Sequence, residues 1–203
     1  MRTVPWLAPA LLGAFLIVVF PLRAVRRRSR FGRTGRPGWG HTRPRAWNIA
    51  DALVVTGFTV VFAGLALQGI DVLDPFFGPS GTLQRLAVAT TVSATALAIW
   101  AQETMGIAWR ADIAPTDQGE LVTAGPFAVV RNPNYVAMAT APVATLLLAP
   151  NVCDVSGWLL LLAGLTATAR AEEPQLTATY GQPYRDYASR VGRFLPFAGR
   201  LRG

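Results

Sequence analysis

The chain has 203 residues and a mass of 21.8 kDa, with 52% hydrophobic residues and a mean hydropathy of +0.35, which excludes an ordinary soluble domain and suits a small polytopic membrane protein. Its formal charge of +8 comes from arginines alone, and these cluster beside apolar runs, where they set topology and meet anionic head groups instead of nucleic acid. A single cysteine, Cys153, and a single histidine, His41, exclude an intrachain disulfide, a Cys/His zinc site and any mechanism that needs two histidines.

Val4 to Leu22 is the first apolar run, long enough to cross about 30 Å of hydrocarbon. Arginines follow it more densely than they precede it, the reverse of a secretory signal, so it reads as an uncleaved helix with its N-terminus outside. Arg23 to Arg45 mixes arginine with glycine and proline and reads as a basic cytoplasmic loop, with His41 exposed in it. A second span is expected over Asn48 to Ile70. The acidic outer loop DVLDPFFGPSG follows, and then a third span from Leu83 to Glu103.

Leu121 to Tyr135, LVTAGPFAVVRNPNY, is polar punctuation between apolar segments. Its turn residues and its Arg-Asn-Pro-Asn run suit neither a lipid-facing helix nor a core strand, so its backbone polar groups must find water, protein or a bound ligand. Two short apolar segments come next, Val136 to Ala149, interrupted by Pro142, and Val155 to Ala169, joined by a turn. They predict a helical hairpin, spanning or re-entrant, that returns the chain to the side it left. Arg131 to Tyr135 and the trio Arg170, Glu172 and Glu173 are thereby expected on one face. The tail places Leu176, Tyr180, Tyr184, Tyr187 and Val191 at three- and four-residue intervals, broken at Gly181 and Pro183. That stripe predicts one or two short amphipathic helices, lying at the membrane surface or forming a pocket wall.

The expected fold class is therefore all-α: a polytopic integral membrane protein with about five transmembrane helices, a C-terminal helical hairpin and amphipathic interfacial helices. Nine arginines fall in Arg23 to Arg45, two precede the hairpin and six follow it, so seventeen of 19 lie on the proposed inner side. This bias predicts a multi-pass cell-membrane protein with its N-terminus outside and its C-terminus cytoplasmic.

The C-terminal half, from about Trp109 to Pro196, carries five ordered pieces: Leu121 to Phe127, Arg131 to Tyr135, Glu172 with Glu173, Tyr180 to Tyr187, and Val191 to Pro196. In this order around a hairpin they resemble the isoprenylcysteine carboxyl methyltransferase family and its phospholipid methyltransferase relatives. The chain divides accordingly into an N-terminal transmembrane region, 1–108, and a methyltransferase-like region, 109–203.

The resemblance implies S-adenosylmethionine as cofactor, no metal, and a lipid-like or isoprenoid carboxyl amphiphile as acceptor. It places Asp112, Glu120, Leu121, Val122, Phe127, Asn132, Pro133, Asn134, Tyr135, Glu172 and Glu173 around the cofactor. Glu172 and Glu173 can take its ammonium, Tyr135 and Phe127 can offer π faces, and amides near Glu120 to Val122 can bond its polar edges. Arg131, Arg170 and Glu172 are the candidate catalytic residues, the arginines as partners for an anionic acceptor. The family arginine that pairs with a prenylcysteine carboxylate would fall at Thr168, with Arg170 the nearest candidate. Asn132 stands where the family more often has histidine and cannot act as a base near neutral pH. Successive helical residues point about 100° apart, so only one of Glu172 and Glu173 is expected to face the pocket. A membrane NADPH-dependent sterol or ene reductase shares this C-terminal layout, and a non-enzymatic membrane scaffold is the third reading.

Overall fold

In a computed structural model the described residues are 6–22, 25, 45–106 and 120–201. Most of the expected basic loop, His41 and Asp112 lie outside them. The described chain is helical and forms no strand: α1 Leu7–Ile17 running into a π turn Val18–Leu22, α2 Arg45–Gly69, α3 Gly81–Met105, a 3-10 turn Gly125–Ala128, α4 Pro133–Thr140, α5 Val143–Leu148, α6 Val152–Tyr180 and α7 Gln182–Arg190.

Three stretches are long and apolar enough to cross a membrane, Ala46–Gly69, Gly81–Met105 and Val152–Tyr180, while Leu7–Leu22 and Pro133–Leu148 are shorter apolar helices. Of the five expected crossings, then, the second, the third and the returning arm of the hairpin have full length. The outgoing arm is short because Pro142 has no N–H to continue the helical ladder, so the helix breaks between Thr140 and Val143. There the Trp158 indole N–H of the returning arm donates to the Ala139 carbonyl at 2.8 Å, supplying a partner that lipid cannot. In α1, Pro21 lies within the π turn, and the carbonyl of Val19 accepts from the buried Gln102 amide of α3 at 3.3 Å.

The returning arm differs from the expectation. It does not stop at Ala169 but runs as one helix of 29 residues through Arg170, Glu172, Glu173 and Pro174. It stops at Gly181, whose φ of 60° lies in the left-handed region that glycine adopts without steric cost.

The central packing is an antiparallel pair, α2 against α6. A Cβ on Gly57 would lie 2.7 Å from the Gly157 carbonyl oxygen, and one on Gly164 would lie 2.7 Å from the Val54 backbone nitrogen. The two backbones therefore touch along a glycine seam, the way helices associate where apolar burial gives no preference for protein over lipid. At the far end Asn151 caps α6, its Oδ1 accepting from Cys153 and Asp154 N–H, and the Phe76 N–H of the Asp71 to Gly81 loop donates to the Pro150 carbonyl at 2.8 Å. The hairpin turn and the Asp71 to Gly81 loop thus share one end of the bundle. Arg131, Glu172 and Glu173 share the other.

Gly157→Ala is expected to lower the thermal midpoint of detergent-solubilised protein, at a cost of about 1–3 kcal/mol, because the added methyl would meet Gly57 and Val61 backbone at 2.7 and 2.9 Å. Gly13→Ala, with nothing within 4 Å, should be neutral or slightly stabilising. Equal midpoints for the two variants would show that the seam does not set the packing.

Candidate active site

Glu172 and Glu173 are adjacent in sequence and diverge in space. The Tyr135 hydroxyl of α4 donates to Glu172 Oε1 at 2.5 Å, joining the first turn of the outgoing arm to the returning one. Glu173, one residue on, turns the other way. Its carboxylate receives Arg193 Nε and NH2 at 2.8 Å each and Arg131 NH1 at 3.0 Å. Only Glu172 faces Tyr135, as the angle between successive helical residues requires.

Arg131 is drawn into the fold from several sides. Its side chain is 2% exposed, and besides Glu173 it donates from NH1 to the Tyr184 hydroxyl at 3.2 Å and from NH2 to the Gly199 carbonyl at 2.6 Å. Its backbone N–H donates to the Gly192 carbonyl at 2.8 Å, and both the N–H and the side-chain amide of Asn132 donate to the Arg193 carbonyl at 3.2 Å. Asn132 thus serves as a hydrogen-bond donor to the tail. The bridge of Val130 with Gly192 completes a clasp between the RNPNY stretch and the C-terminal segment. Pro133 opens α4 at its first turn, where the missing N–H leaves no gap in the ladder.

The tail helix α7 forms the wall of this clasp. Tyr184, Tyr187 and Ala188 are buried, with Leu121, Leu176 and Tyr180 packed against them, so the tyrosine stripe faces protein and not lipid. The Tyr187 hydroxyl donates to the Phe127 carbonyl at 2.7 Å. Burial raises both phenols above their ordinary value, most strongly that of Tyr187, and only partly against the opposing charge of Arg131. They remain neutral donors. The hydrogen bonds that Arg193 donates to the Glu173 carboxylate raise its guanidinium in turn, so it stays charged.

The remaining expected residues divide clearly. Phe127 is buried in the turn that Gly125 makes against α3; with φ 59° and a Cβ that would lie 2.9 Å from Thr104 Oγ1, that position admits only glycine without strain. Asn134 donates to Met105 Sδ at 3.7 Å, and its Oδ1 is buried with no hydrogen-bond partner among the described residues. Leu121 and Val122 are half-buried, and Glu120 is exposed. Arg170 is exposed, and lying two residues before Glu172 it points about 200° around the helix from it. Thr168 is buried, its hydroxyl donating to the Gly164 carbonyl at 3.0 Å.

Three participants were not singled out from sequence. Arg193 lies inside the last motif, and Tyr184 inside the tyrosine stripe. Asp51 belongs to α2, in the N-terminal half, and its charge acts on both Tyr135 and Glu172. The available signal was an ionisable residue within a predicted span, which is a functional candidate by default.

An apolar cavity of about 710 Å³ lies between α1, α2 and α4, lined by Leu16, Phe20, Val54, Phe58, Phe62 and Met138 among others, and neither Tyr135 nor Glu172 lines it. Met138 stands one turn beyond Tyr135 on the same helix. The tyrosine-bound carboxyl of Glu172 thus shares with Arg131 and Glu173 one end of the bundle, and the cavity touches α4 one turn from Tyr135.

Residues 87–178 match the family model of the isoprenylcysteine carboxyl methyltransferase (ICMT) family. The similarity is of this region, 92 of the 203 residues, to that family. It is a membrane methyltransferase family, and the matched region begins within α3 and takes in the Gly125 turn, the RNPNY stretch, the hairpin and both glutamates. The match ends short of Tyr180, so the α7 wall and Arg193 lie outside it, as do Asp51 and nearly all of the cavity lining. No curated protein and no solved structure matches the chain.

Glu173→Gln is expected to destabilise the solubilised protein by about 3 kcal/mol, the usual consequence of removing one partner from a largely buried ion pair, read as a fall in thermal midpoint. A variant as stable as the parent would show that the clasp is incidental.

Proposed function

We propose that the protein transfers a methyl group from S-adenosylmethionine to a lipid-like amphiphile at the cytoplasmic face of the membrane. The observation that carries this reading is the Tyr135–Glu172 pair, held at 2.5 Å within the ICMT-matching region, with an apolar cavity that touches α4 one turn further on, at Met138.

The residues present suit the cofactor. Glu172 offers a carboxylate to its ammonium, the Tyr135 ring offers a π face to a cation, and the orphaned Asn134 Oδ1 offers an acceptor for a polar N–H. S-adenosylmethionine supplies the reactive methyl on a sulfonium that is already a strong electrophile, so the protein's work is orientation and exclusion of water. Tyr135 fixes the rotamer of Glu172. Arg131, Glu173 and Asn132 act one step removed, by locking the RNPNY stretch against the tail so that Tyr135 meets Glu172. The apolar cavity receives the acceptor's hydrocarbon, presented sideways from the inner leaflet, while its polar atom stays at the depth of the pair. Arg170, exposed on the other side of α6, is placed to meet head groups more than the bound cofactor.

Glu172→Gln and Tyr135→Ala should each weaken S-adenosylmethionine binding about tenfold or more, a loss on the order of 2 kcal/mol, whereas Arg170→Met should stay within about threefold. Ligand-dependent thermal stabilisation in detergent reads this out, with the demethylated product and NADPH as comparison ligands. Unchanged affinity in Glu172→Gln with its fold intact, or stabilisation by NADPH alone, overturns the assignment.

The orientation follows from the arginine distribution. A reporter fused after Gly203 should be cytoplasmic and one inserted in the Asp71 to Gly81 loop external. The opposite pattern would put the pair out of reach of a cytoplasmic cofactor.

A further inference from the structure

With the tyrosine face of α7 turned inward, the exposed apolar groups at this end belong to the loop that follows it. Leu195 is 65% exposed and Phe197 76% exposed. Phe197 has φ 69°, a left-handed conformation that is uncommon for a bulky side chain. The loop is nonetheless tightly held. Arg193 N–H donates to the Ala198 carbonyl at 2.8 Å, Ala198 N–H to Leu195 at 3.1 Å, and Leu201 N–H to Ala188 at 3.0 Å, while the Gly199 carbonyl takes Arg131 NH2 at 2.6 Å. A strained aromatic is therefore presented outward on a fixed support.

Its level along the bundle follows from the same contacts. Gly199 is bound to Arg131, Arg131 to Glu173, and Glu173 lies four residues beyond Ala169, the last buried apolar residue of α6. The loop sits where α6 passes from apolar to charged, the depth of lipid head groups. Its surroundings are cationic: Arg185, Arg190 and Arg200 are exposed, against the single exposed carboxylate Asp186 among residues 181–201. The Arg200 guanidinium lies 4.8 Å from the Phe197 ring centroid, stacking a cation on the apolar tip.

We propose that the Leu195 to Arg200 loop is a docking surface for anionic phospholipid, with Leu195 and Phe197 dipping into the head-group boundary and the three arginines meeting lipid phosphates. Apolar tips on a segment whose exposed charges are mostly guanidiniums, one of them stacked on Phe197, suit an anionic bilayer surface, where each arginine adds electrostatic attraction to the burial of the side chain. A soluble acidic partner would use the charge and leave the leucine and phenylalanine in water.

The test replaces Cys153 with Ala, labels Phe197→Cys with an environment-sensitive fluorophore, and places the full chain in nanodiscs of neutral or of neutral plus anionic phospholipid. Gln175→Cys, exposed on α6 beyond its apolar stretch, is the water-facing control. Quenching of the 197 probe by bromine-labelled lipid should rise about twofold or more with anionic lipid and fall back when Arg185, Arg190 and Arg200 are changed to Gln. Leu195→Cys should behave alike and replaces the 197 probe if that variant lacks a thermal transition. A probe as water-exposed at 197 as at 175 in both membranes, or one shielded only by cross-linking to a second copy, overturns the proposal.

Discussion

A single carboxylate, that of Glu173, stands between two guanidiniums, Arg193 at 2.8 Å and Arg131 at 3.0 Å. Groups so removed from water would be costly alone, and the trio is tolerated because the charges pair and Arg131 makes further bonds, from NH1 to Tyr184 and from NH2 to the Gly199 carbonyl, although its Nε has no partner among the described residues. The clasp joins three segments far apart in sequence. Through it the tail holds the start of α4, and the start of α4 holds Tyr135 against Glu172.

The second support is the glycine seam. Because α2 and α6 meet backbone to backbone, small shifts along the pair would produce clashes, so their register is defined. That register carries Asp51, from a helix outside the ICMT-matching region, into the field of Tyr135 and Glu172. The apolar cavity is likewise walled mainly by α1 and α2. The region similar to the ICMT family is thus packed against helices that lie outside the match, and in the proposed function those helices choose the acceptor.

The two glutamates show how one helical step separates roles. Glu172 is hydrogen-bonded to a tyrosine, while Glu173 is neutralised by two arginines inside the fold. Chemistry that needs an available negative charge belongs with the former and mechanical rigidity with the latter. Arg131 follows Glu173 into the clasp. An acceptor that needed an arginine partner would have to find it elsewhere among the basic residues.

Hydropathy, arginine placement and the ordered motifs from Leu121 to Glu173 were enough to determine a helical chain with membrane-length apolar spans, the position of its hairpin and the family that its C-terminal region resembles, because lipid imposes length and composition directly on a span. The 100° step between neighbours on a helix was also enough to separate Glu172 from Glu173. Only the tertiary structure decided that α6 continues past Ala169 to Tyr180, since propensity and hydropathy see a charged cluster followed by proline as an end, whereas Glu173 is held in place by Arg131 and Arg193 from elsewhere in the chain. It alone turned the tyrosine face of α7 inward, because a stripe of apolar residues has the same period whether lipid or protein covers it. It alone brought Arg193 and Asp51 to the site, for neither a long-range ion pair nor the register of two helices is encoded in local spacing.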